Sequence, residues 1–570
     1  FYMNSGYNEP ISRYAYKYKD GLGYGVNAYT KGSIFYEMLR YVVGEETFQK
    51  ICHEYFNRWA LKHVNEARFK QVCEDVSGVD LDWFFQQWLH ETKTVDYRLG
   101  SFEKKQTANG KWQTAIEIVR NEEGIMPVEV ELALADNEKV RQRWDGRERK
   151  GTLTFTTATE PRHAVLDPDD QIMDKSRLGH GKTHVEFYPE YPDIGNYSPP
   201  DVYVVTWKPS FWYNDIDGLR LGVRFNGRYQ QTRQLSLAGW YGPNSSELDG
   251  RFSFSNPLGS HANYQMSLMK LEGRIAGDAS LRIFWAKRLT TPPTFNLAVG
   301  INYTELSKDK VDYTFRRVEV GDNIMAVPTW NVGKVNQAYL TFNVNPRGMK
   351  WRSLLNYEIR HADEAFGSDA TFTRLQGSFN FWIPSQRGDG LYLRLFQGAF
   401  LRQEDGKPIE HLFYAFDTSP AEQFGSFYLR SRGAFPAEAH YHRPGGGNLR
   451  GYFDQPERAG KNLLAANVEL RKAMRLPLIG RLLGNSTLAA FFDTGRLTNL
   501  LDSSKQLSNA GVGITFNKQW PDDWYTFIVG TNYTLRLDFP LWVSEPRIRL
   551  NGSREDEFKF RYVLSFQRVL

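Results

Sequence analysis

The sequence of 570 residues contains no run of about 18 consecutive apolar residues, which is the length that a helix needs to cross a bilayer. It also lacks any block of basic residues, and its net charge of +5 is small for this length, so the composition argues against nucleic acid as a partner. No export signal is recognisable after the first residue, Phe1. We therefore expect the sequence to be a fragment whose export signal and upstream domains are missing.

Only two cysteines occur, Cys52 and Cys73. They lie in neighbouring helical patterns, as small buried residues often do. In an oxidising compartment they would instead form a disulfide. Two cysteines cannot form a structural zinc site without further ligands.

Aromatic residues are abundant, at 15 % of the sequence, and the last strand-like segment shows how they are arranged. One face of this segment is apolar and consists of Phe558, Phe560, Tyr562, Leu564 and Phe566. The opposite face carries polar side chains with one exception, Val563; these are Lys559, Arg561, Ser565 and Gln567. Because side chains alternate along a strand, the segment has one face suited to lipid and one suited to a water-filled lumen.

The same alternation recurs from residue 203 to residue 570, where the pattern contains only strands and turns. In one segment, apolar residues alternate with polar residues or glycine: Leu219-Arg220-Leu221-Gly222-Val223-Arg224-Phe225-Asn226. Roughly sixteen such segments can be counted, and an even number is typical of bacterial outer-membrane barrels. We therefore predict an antiparallel transmembrane β-barrel of about sixteen strands. A large soluble β-sandwich is the alternative.

Three shorter regions precede the predicted barrel. Residues 1–94 are predicted to be helical, because apolar residues recur at helical spacing, as in Phe48, Ile51, Cys52, Tyr55, Phe56 and Trp59. Residues 95–180 switch to short alternating segments separated by turn signals such as Asn109-Gly110, which predicts a small β-sandwich. Residues 181–202 carry proline and tyrosine and are predicted to be a linker.

A glycine-rich segment, Gly445-Gly446-Gly447-Asn448-Leu449-Arg450-Gly451-Tyr452, precedes the last five strand-like segments. About forty residues later comes the strand-like Phe491-Phe492-Asp493-Thr494-Gly495. Since Phe492 lies on the outward apolar face, Asp493 should point into the lumen. If the loop folds back inside the barrel, Arg450 could form a shielded, charge-assisted pair with Asp493. Otherwise the two belong to an ordinary surface loop and an unrelated lumen carboxylate.

With these motifs, the barrel region resembles the bacterial surface antigen superfamily, which includes the BamA, TamA and two-partner-secretion barrels. The resemblance implies sixteen strands and an inward loop whose tip is Arg450-Gly451-Tyr452 and whose arginine contacts Asp493. Three further segments resemble the later strands of that family: Val468-Glu469-Leu470-Arg471, Gly511-Val512-Gly513-Ile514 and Arg536-Leu537-Asp538-Phe539. The POTRA repeats of that family are not visible upstream.

Residues 24–92 resemble the gluzincin aminopeptidases, such as membrane alanyl aminopeptidase. The segments that carry the resemblance are Tyr24, Tyr29-Thr30-Lys31-Gly32, Gly44-Glu45-Glu46-Thr47-Phe48, Ser77-Gly78-Val79-Asp80-Leu81 and Trp83-Phe84-Phe85-Gln86-Gln87-Trp88-Leu89. Residues 97–174 look like the β-domain that follows the catalytic domain in that family.

The resemblance implies a zinc cofactor, held in the family by the two histidines of HExxH and a glutamate. This sequence has no HExxH, so we expect the zinc ligands upstream of Phe1 and assign no metal ligand within it. The resemblance also makes Tyr29 the hydroxyl that donates to the oxyanion of the tetrahedral intermediate, with Tyr24 at a neighbouring family position. His63 and His90 are expected to be surface residues.

The sequence as a whole thus predicts an outer-membrane-anchored zinc metallopeptidase of the aminopeptidase type, with its soluble part in the periplasm. Its expected partners are a peptide substrate and outer-membrane lipid, not nucleic acid. The alternative is a transport or assembly barrel whose peptidase-like domain only binds peptides.

Overall fold

The computed structural model describes residues 2, 8–190, 197, 199–214, 217–230, 232–258, 261–285, 294–307, 315–320, 323–328, 330–346, 348, 350–384, 389–403, 408–425, 445–453, 455, 458–474, 476, 483–519, 532–548 and 552–568. The two ends of the predicted regions, Phe1 and Leu570, lie outside the described residues. No helix in the described part of the chain combines the length and the apolar character needed to cross a lipid bilayer.

The N-terminal region is helical, as expected. Its α-helices are α1 (Gly21–Gly25), α2 (Gly32–Val43), α3 (Glu45–Trp59), α4 (Glu66–Ser77) and α5 (Asp82–Phe85), with π-helical turns at Val26–Lys31 and Gln86–His90. Local signals fix the ends of α4. The side chain of Asn65 accepts a hydrogen bond from the Arg68 backbone, and Gly78 ends the helix in the left-handed conformation, at φ 68°.

Two three-stranded sheets follow the helices. One has the order β1-β2-β5, formed by β1 (Tyr97–Gln106), β2 (Trp112–Arg120) and β5 (Lys150–Thr157). The other has the order β4-β3-β6, formed by β3 (Val128–Leu134), β4 (Lys139–Trp144) and β6 (Pro161–Leu166).

A single hydrophobic core joins the helices to both sheets. It includes Phe35, Leu39 and Phe84 from the helices and Ile118, Val130 and Leu166 from the sheets. The helical and the β regions are therefore one packed unit rather than two independent ones.

The two cysteines do not pair. Cys73 lies in this core, Cys52 is exposed, and both are free thiols. Burial raises the pKa of the Cys73 thiol to about 12. The structure thus supports the buried interpretation for Cys73 and not for Cys52.

The largest sheet has seventeen strands and closes on itself as a barrel. Its strands are β7 (His184–Pro189), β8 (Val202–Asn214), β9 (Gly218–Tyr229), β10 (Thr232–Gly242), β11 (Glu247–Pro257), β12 (Ala262–Leu271), β13 (Arg274–Trp285), β14 (Phe295–Leu306), β17 (Gly333–Val344), β18 (Arg352–Ala362), β19 (Phe372–Pro384), β20 (Gly390–Gln403), β23 (Asn462–Met474), β24 (Asn485–Thr498), β25 (Ser504–Gln519), β26 (Asn532–Val543) and β27 (Val563–Arg568). Two-stranded pairs lie in the connections: β15 (Phe315–Val320) with β16 (Asn323–Pro328), and β21 (Phe413–Tyr414) with β22 (Ala459–Gly460).

The extra strand relative to the expected number is β7, which runs parallel to β8. It lies within 181–202, the stretch expected to be a linker. From β8 to β27, each strand of the barrel pairs antiparallel with the next, as predicted. We call the barrel end that carries Val202 the lower rim and the opposite end the upper rim.

The two faces of the barrel alternate as predicted. Leu219 and Leu221 are 52 % and 62 % exposed, whereas the intervening Arg220 is fully buried. Val563, the apolar exception on the inward face of the last segment, is also fully buried and packs with Phe416 and Phe453.

The last strand is shorter than predicted. The segment from Phe558 was expected to be a strand, but the ladder with β26 begins only at Val563, and Phe558 makes an isolated bridge to Trp542. Just before the ladder, the Arg561 guanidinium donates to the backbone carbonyl of Asp556 at 2.9 Å, a local side-chain bond of the kind that competes with regular strand pairing. Phe558 and Phe560 nevertheless remain exposed on the outward side, at 74 % and 70 %.

Candidate functional site

Arg450 lies inside the barrel, in a short 3-10 turn (Arg450–Tyr452) of the connection that leaves β20 at the upper rim. It is 2 % exposed. Its guanidinium donates two hydrogen bonds to Asp493 of β24, from Nε to Oδ2 at 2.9 Å and from Nη2 to Oδ1 at 2.7 Å. Such a bidentate pair fixes both position and orientation. The structure thus brings together the two side chains whose spacing in sequence suggested a pair.

The pair belongs to a larger group of charges, which we call the lumen arginine cluster: Arg450, Arg471, Arg536, Glu469, Asp493 and Asp538. Arg450 also reaches Glu469 at 2.9 Å and Asp538 at 3.4 Å. Arg536 bonds the same two carboxylates, at 2.8 Å and 2.7 Å, and Arg471 bonds Glu469 at 2.6 Å. Three guanidinium groups therefore face three carboxylates, and the cluster is electrically balanced.

Amide donors complete the surroundings of Asp493. Asn467 and Asn509 donate to its two oxygens at 3.1 Å and 2.8 Å, and the Arg450 backbone donates at 3.3 Å. The fully buried carboxylate of Asp493 therefore accepts hydrogen bonds from side chains and from the backbone.

The neighbours of Arg450 in the motif fit closely. A Cβ on Gly451 would lie 2.5 Å from Val543 and 2.7 Å from Asn509, so the position excludes any side chain. The Tyr452 hydroxyl donates to the Ser508 carbonyl at 3.1 Å. On the other side, the Arg450 guanidinium stacks 3.6 Å above the ring of Phe491.

In the N-terminal helical region, Tyr29 is exposed, in contrast to the buried Arg450. Tyr29 lies in the π-helical turn Val26–Lys31 and is 69 % exposed, and Tyr24 on α1 is 38 % exposed. Their rings meet edge to face with centroids 6.1 Å apart. A hydrogen-bonding interaction with Tyr29 raises the pKa of Tyr24. π-helical turns of this kind often occur at functional sites.

Two buried residues of the same turn hold it in place. Asn27 donates to the Gly23 carbonyl and to the Tyr2 hydroxyl, both at 2.8 Å. Lys31 donates to the Asn8 side chain at 2.9 Å and to the Glu9 carbonyl at 3.1 Å, and burial lowers the pKa of its ammonium group to about 8. With these residues directed inward, Tyr29 is left facing outward. The sequence motif contained Lys31 but did not reveal this anchoring role.

The described residues do not fit a zinc ion. One group of carboxylates is close enough together to hold a metal, Glu74, Asp80 and Asp82, but it contains no histidine or cysteine and Lys70 binds Asp82. His90, exposed on the surface, bonds Glu66 at 2.7 Å instead.

Removing one partner of the buried pair should destabilise the barrel more than removing both. Arg450→Ala leaves Asp493 without its ion-pair partner, and Asp493→Ala leaves the cluster with one excess positive charge. Each change should lower the free energy of unfolding by about 3–5 kcal/mol. The double variant should cost no more than either single variant, so it should fall short of the sum by at least about 3 kcal/mol. The measurement is urea unfolding in detergent, followed by heat-modifiability on gels.

A matched control is the ion pair between Lys461 and Asp502. The Asp502 side chain is 73 % exposed. Alanine substitutions there should change stability little and additively. Additive effects at Arg450 and Asp493 would show that these two side chains do not interact.

One family of known proteins is similar to the N-terminal region. The sequence profile of the Peptidase family M1 domain matches residues 8–88. This match confirms the predicted resemblance of the N-terminal region to the gluzincin peptidases. No curated protein matches the chain.

Several solved structures are similar at low identity. BamA from Haemophilus ducreyi lacking POTRA domains 1–3 is 14 % identical, covering 64 % of this chain and 72 % of that one, with a TM-score of 0.34. OpdL from Pseudomonas aeruginosa is 11 % identical over 78 % of this chain and 92 % of its own, with a TM-score of 0.29.

Aminopeptidase A from Legionella pneumophila, in complex with aspartic acid, is 18 % identical over 25 % of this chain, with a TM-score of 0.21. The present chain covers 17 % of the length of that aminopeptidase.

Proposed function

We propose that this chain is the membrane-anchored part of an outer-membrane zinc metallopeptidase of the aminopeptidase type. The observation that carries the proposal is a single chain in which a segment matching the Peptidase family M1 domain, residues 8–88, is joined to a closed barrel. Because the sequence contains no HExxH, the proposed zinc ligands lie outside these 570 residues. The substrate is a peptide, attacked near a free N-terminus.

The barrel is the anchor. Its outward face carries exposed apolar side chains on strand after strand, including Phe211, Leu221, Leu237, Leu268, Ile301, Leu340, Leu395, Leu470 and Val512. Its inward face carries buried charges. A closed sheet leaves few backbone groups without partners, which is the condition for a strand structure in lipid.

The part of the chain before β7, residues 8–180, supplies Tyr29, and we call it the soluble part. Its exposed phenol, on a turn anchored by Asn27 and Lys31, is free to donate to the oxygen that becomes negative when a peptide carbonyl is attacked.

The second candidate is a transport or assembly barrel whose soluble part only binds peptides. The exposure of Tyr29 favours it, because an exposed phenol can contact a peptide without catalysis. The experiment that decides is elemental analysis of the full-length protein purified from outer membranes, with hydrolysis of a chromogenic aminoacyl substrate. About one zinc per chain and measurable hydrolysis support the peptidase. A metal-free, inactive protein that still binds peptide supports the alternative.

In the full-length protein, Tyr29→Phe should lower kcat by about 100- to 1000-fold with little change in KM, because one oxyanion donor is lost while binding contacts remain. Steady-state kinetics on the aminoacyl substrate measure this. Tyr16→Phe is the matched control, since it removes an exposed phenol hydroxyl outside the turn that carries Tyr29 and should have little effect. An unchanged kcat in Tyr29→Phe would show that the Tyr29 hydroxyl is not needed for catalysis.

The soluble part should face the periplasm. It joins the barrel at the lower rim, where β8 begins, whereas the long connections over 307–332 and 404–461 leave the upper rim. Outer-membrane barrels keep short turns on the periplasmic side and long loops outside.

The test of orientation is protease added to intact cells carrying an epitope tag in the turn at Asn109-Gly110. This tag should survive until the outer membrane is permeabilised. A control tag after Asp502, in an upper-rim turn, should be cleaved at once. Cleavage of the first tag on intact cells would place the soluble part outside.

A further inference from the structure

One strand of the barrel comes from the connection to the soluble part. β7 pairs with the lower half of β8 in a parallel ladder of six residue pairs, from His184 with Val202 to Pro189 with Trp207. In the strand order β7 lies between β27 and β8, so it separates the last antiparallel strand from the first. The wall therefore closes through a strand that an antiparallel barrel of sixteen strands would not need.

β7 has the side-chain pattern of a wall strand. Val185 and Phe187 are 54 % and 64 % exposed, on the same outward side as Trp207 and Phe211 of β8. Glu186 and Tyr188 alternate with them and are less exposed.

An ion pair and a hydrogen bond hold the upper end of β7. Glu190, the residue after β7, pairs with Lys208 of β8 and accepts a hydrogen bond from Asn226 of β9 at 2.9 Å. Its backbone N–H donates to the Trp207 carbonyl at 2.7 Å.

The lower end of β7 is tied closely to the soluble part. Only residues 181–183 separate β7 from His180, whose carbonyl accepts from Leu166 of β6 at 2.9 Å. At the lower rim, the buried Tyr229 of β9 uses its hydroxyl to accept from the Arg177 backbone at 2.9 Å and to donate to the Pro200 carbonyl at 2.7 Å. With so short a connection, β7 cannot leave the wall unless the soluble part moves away from the rim.

We propose that β7 is an exchangeable wall strand, so that the barrel has two closed states. In the first state, β7 lies in the seam and the soluble part is docked at the lower rim. In the second state, β7 has left, β27 pairs directly with β8, and the soluble part is released on its tether. Direct pairing is required in the second state, because strand edges left open in hydrocarbon are strongly unfavourable. The inference does not depend on whether the soluble part is a peptidase.

Disulfide formation distinguishes the two states in a full-length protein whose Cys52 and Cys73 are replaced by alanine. Phe187→Cys with Val205→Cys reports β7 in the seam, since these residues are register partners. Val205→Cys with Leu564→Cys, or with Phe566→Cys, reports direct pairing of β8 and β27. With β7 between them, β8 and β27 are about 9–10 Å apart, beyond the reach of a disulfide. In outer membranes the first pair should oxidise in high yield and the others poorly.

Two perturbations should shift the balance toward direct pairing. Glu190→Lys places two like charges together and should change the ratio of the two disulfides by about fivefold, the limit for an ion pair of this exposure. The double reversal Glu190→Lys with Lys208→Glu should restore the ratio. Tyr229→Phe removes the rim contact and should act in the same direction as Glu190→Lys. Tyr203→Phe, which loses a hydroxyl bonded to the Arg233 carbonyl at 3.0 Å, is the control and should have no effect.

Heat-modifiability shows that each variant has assembled, and Glu190→Gln replaces Glu190→Lys if that variant does not. Predominant pairing of β8 with β27 in the unperturbed protein would overturn the proposal. So would a disulfide ratio that stays constant in the assembled Glu190 and Tyr229 variants.

Discussion

The barrel depends on one constraint, which is that strand backbone groups facing hydrocarbon must find hydrogen-bond partners within the protein. Closure of the seventeen-stranded sheet meets it around the wall. Once the sheet is closed, alternation along each strand assigns apolar side chains to the outside and polar ones to the inside. The placement of β7 follows from the same constraint, because it supplies partners to the lower half of β8, where the antiparallel strands begin and end.

Closure also creates an interior where charges are shielded from bulk water, and the chain pairs opposite charges there. The lumen arginine cluster matches three arginines with three carboxylates. Elsewhere on the inward face, Arg220 forms ion pairs with Asp217 and Asp249. Arg374 pairs with Glu422, which lies in the connection between β20 and β23. A buried charge without a partner is costly, so each of these arginines ties a connection or a neighbouring strand to the wall.

Sequence reasoning recovered what depends on local periodicity. The alternation around Arg220 predicted the faces of the barrel, and the position of Asp493 beside the outward Phe492 predicted its inward direction. Arg450 and Asp493 could be paired because both lie in recognisable motifs. Glu469 and Asp538 lie in segments that were noted, yet their meeting at Arg450 depends on the register of several strands, which no single segment contains.

Other features were missed for physical reasons that can be named. β7 has only two outward apolar residues, Val185 and Phe187, and the prolines and tyrosines after it are typical of a linker. β27 starts late, at Val563, and the Arg561 guanidinium bonds backbone carbonyls of the segment before it, a contact that the alternation of apolar and polar residues does not reveal. The exposure of Tyr29 depends on a π-helical turn whose inward residues, Asn27 and Lys31, contact the chain near Tyr2 and Glu9. Periodicity at 3.6 residues does not reveal such a turn.

The central claim is that one polypeptide joins a peptidase-type soluble part to a barrel in the outer membrane. Separation of cell envelopes on a sucrose density gradient, with washing of each fraction at high salt and high pH, tests it most directly. The account predicts that antibodies against residues 8–88 and against the barrel detect the same band in the outer-membrane fraction, and that washing does not release it. Recovery of the chain in the soluble or inner-membrane fraction, or release by the wash, would contradict the account.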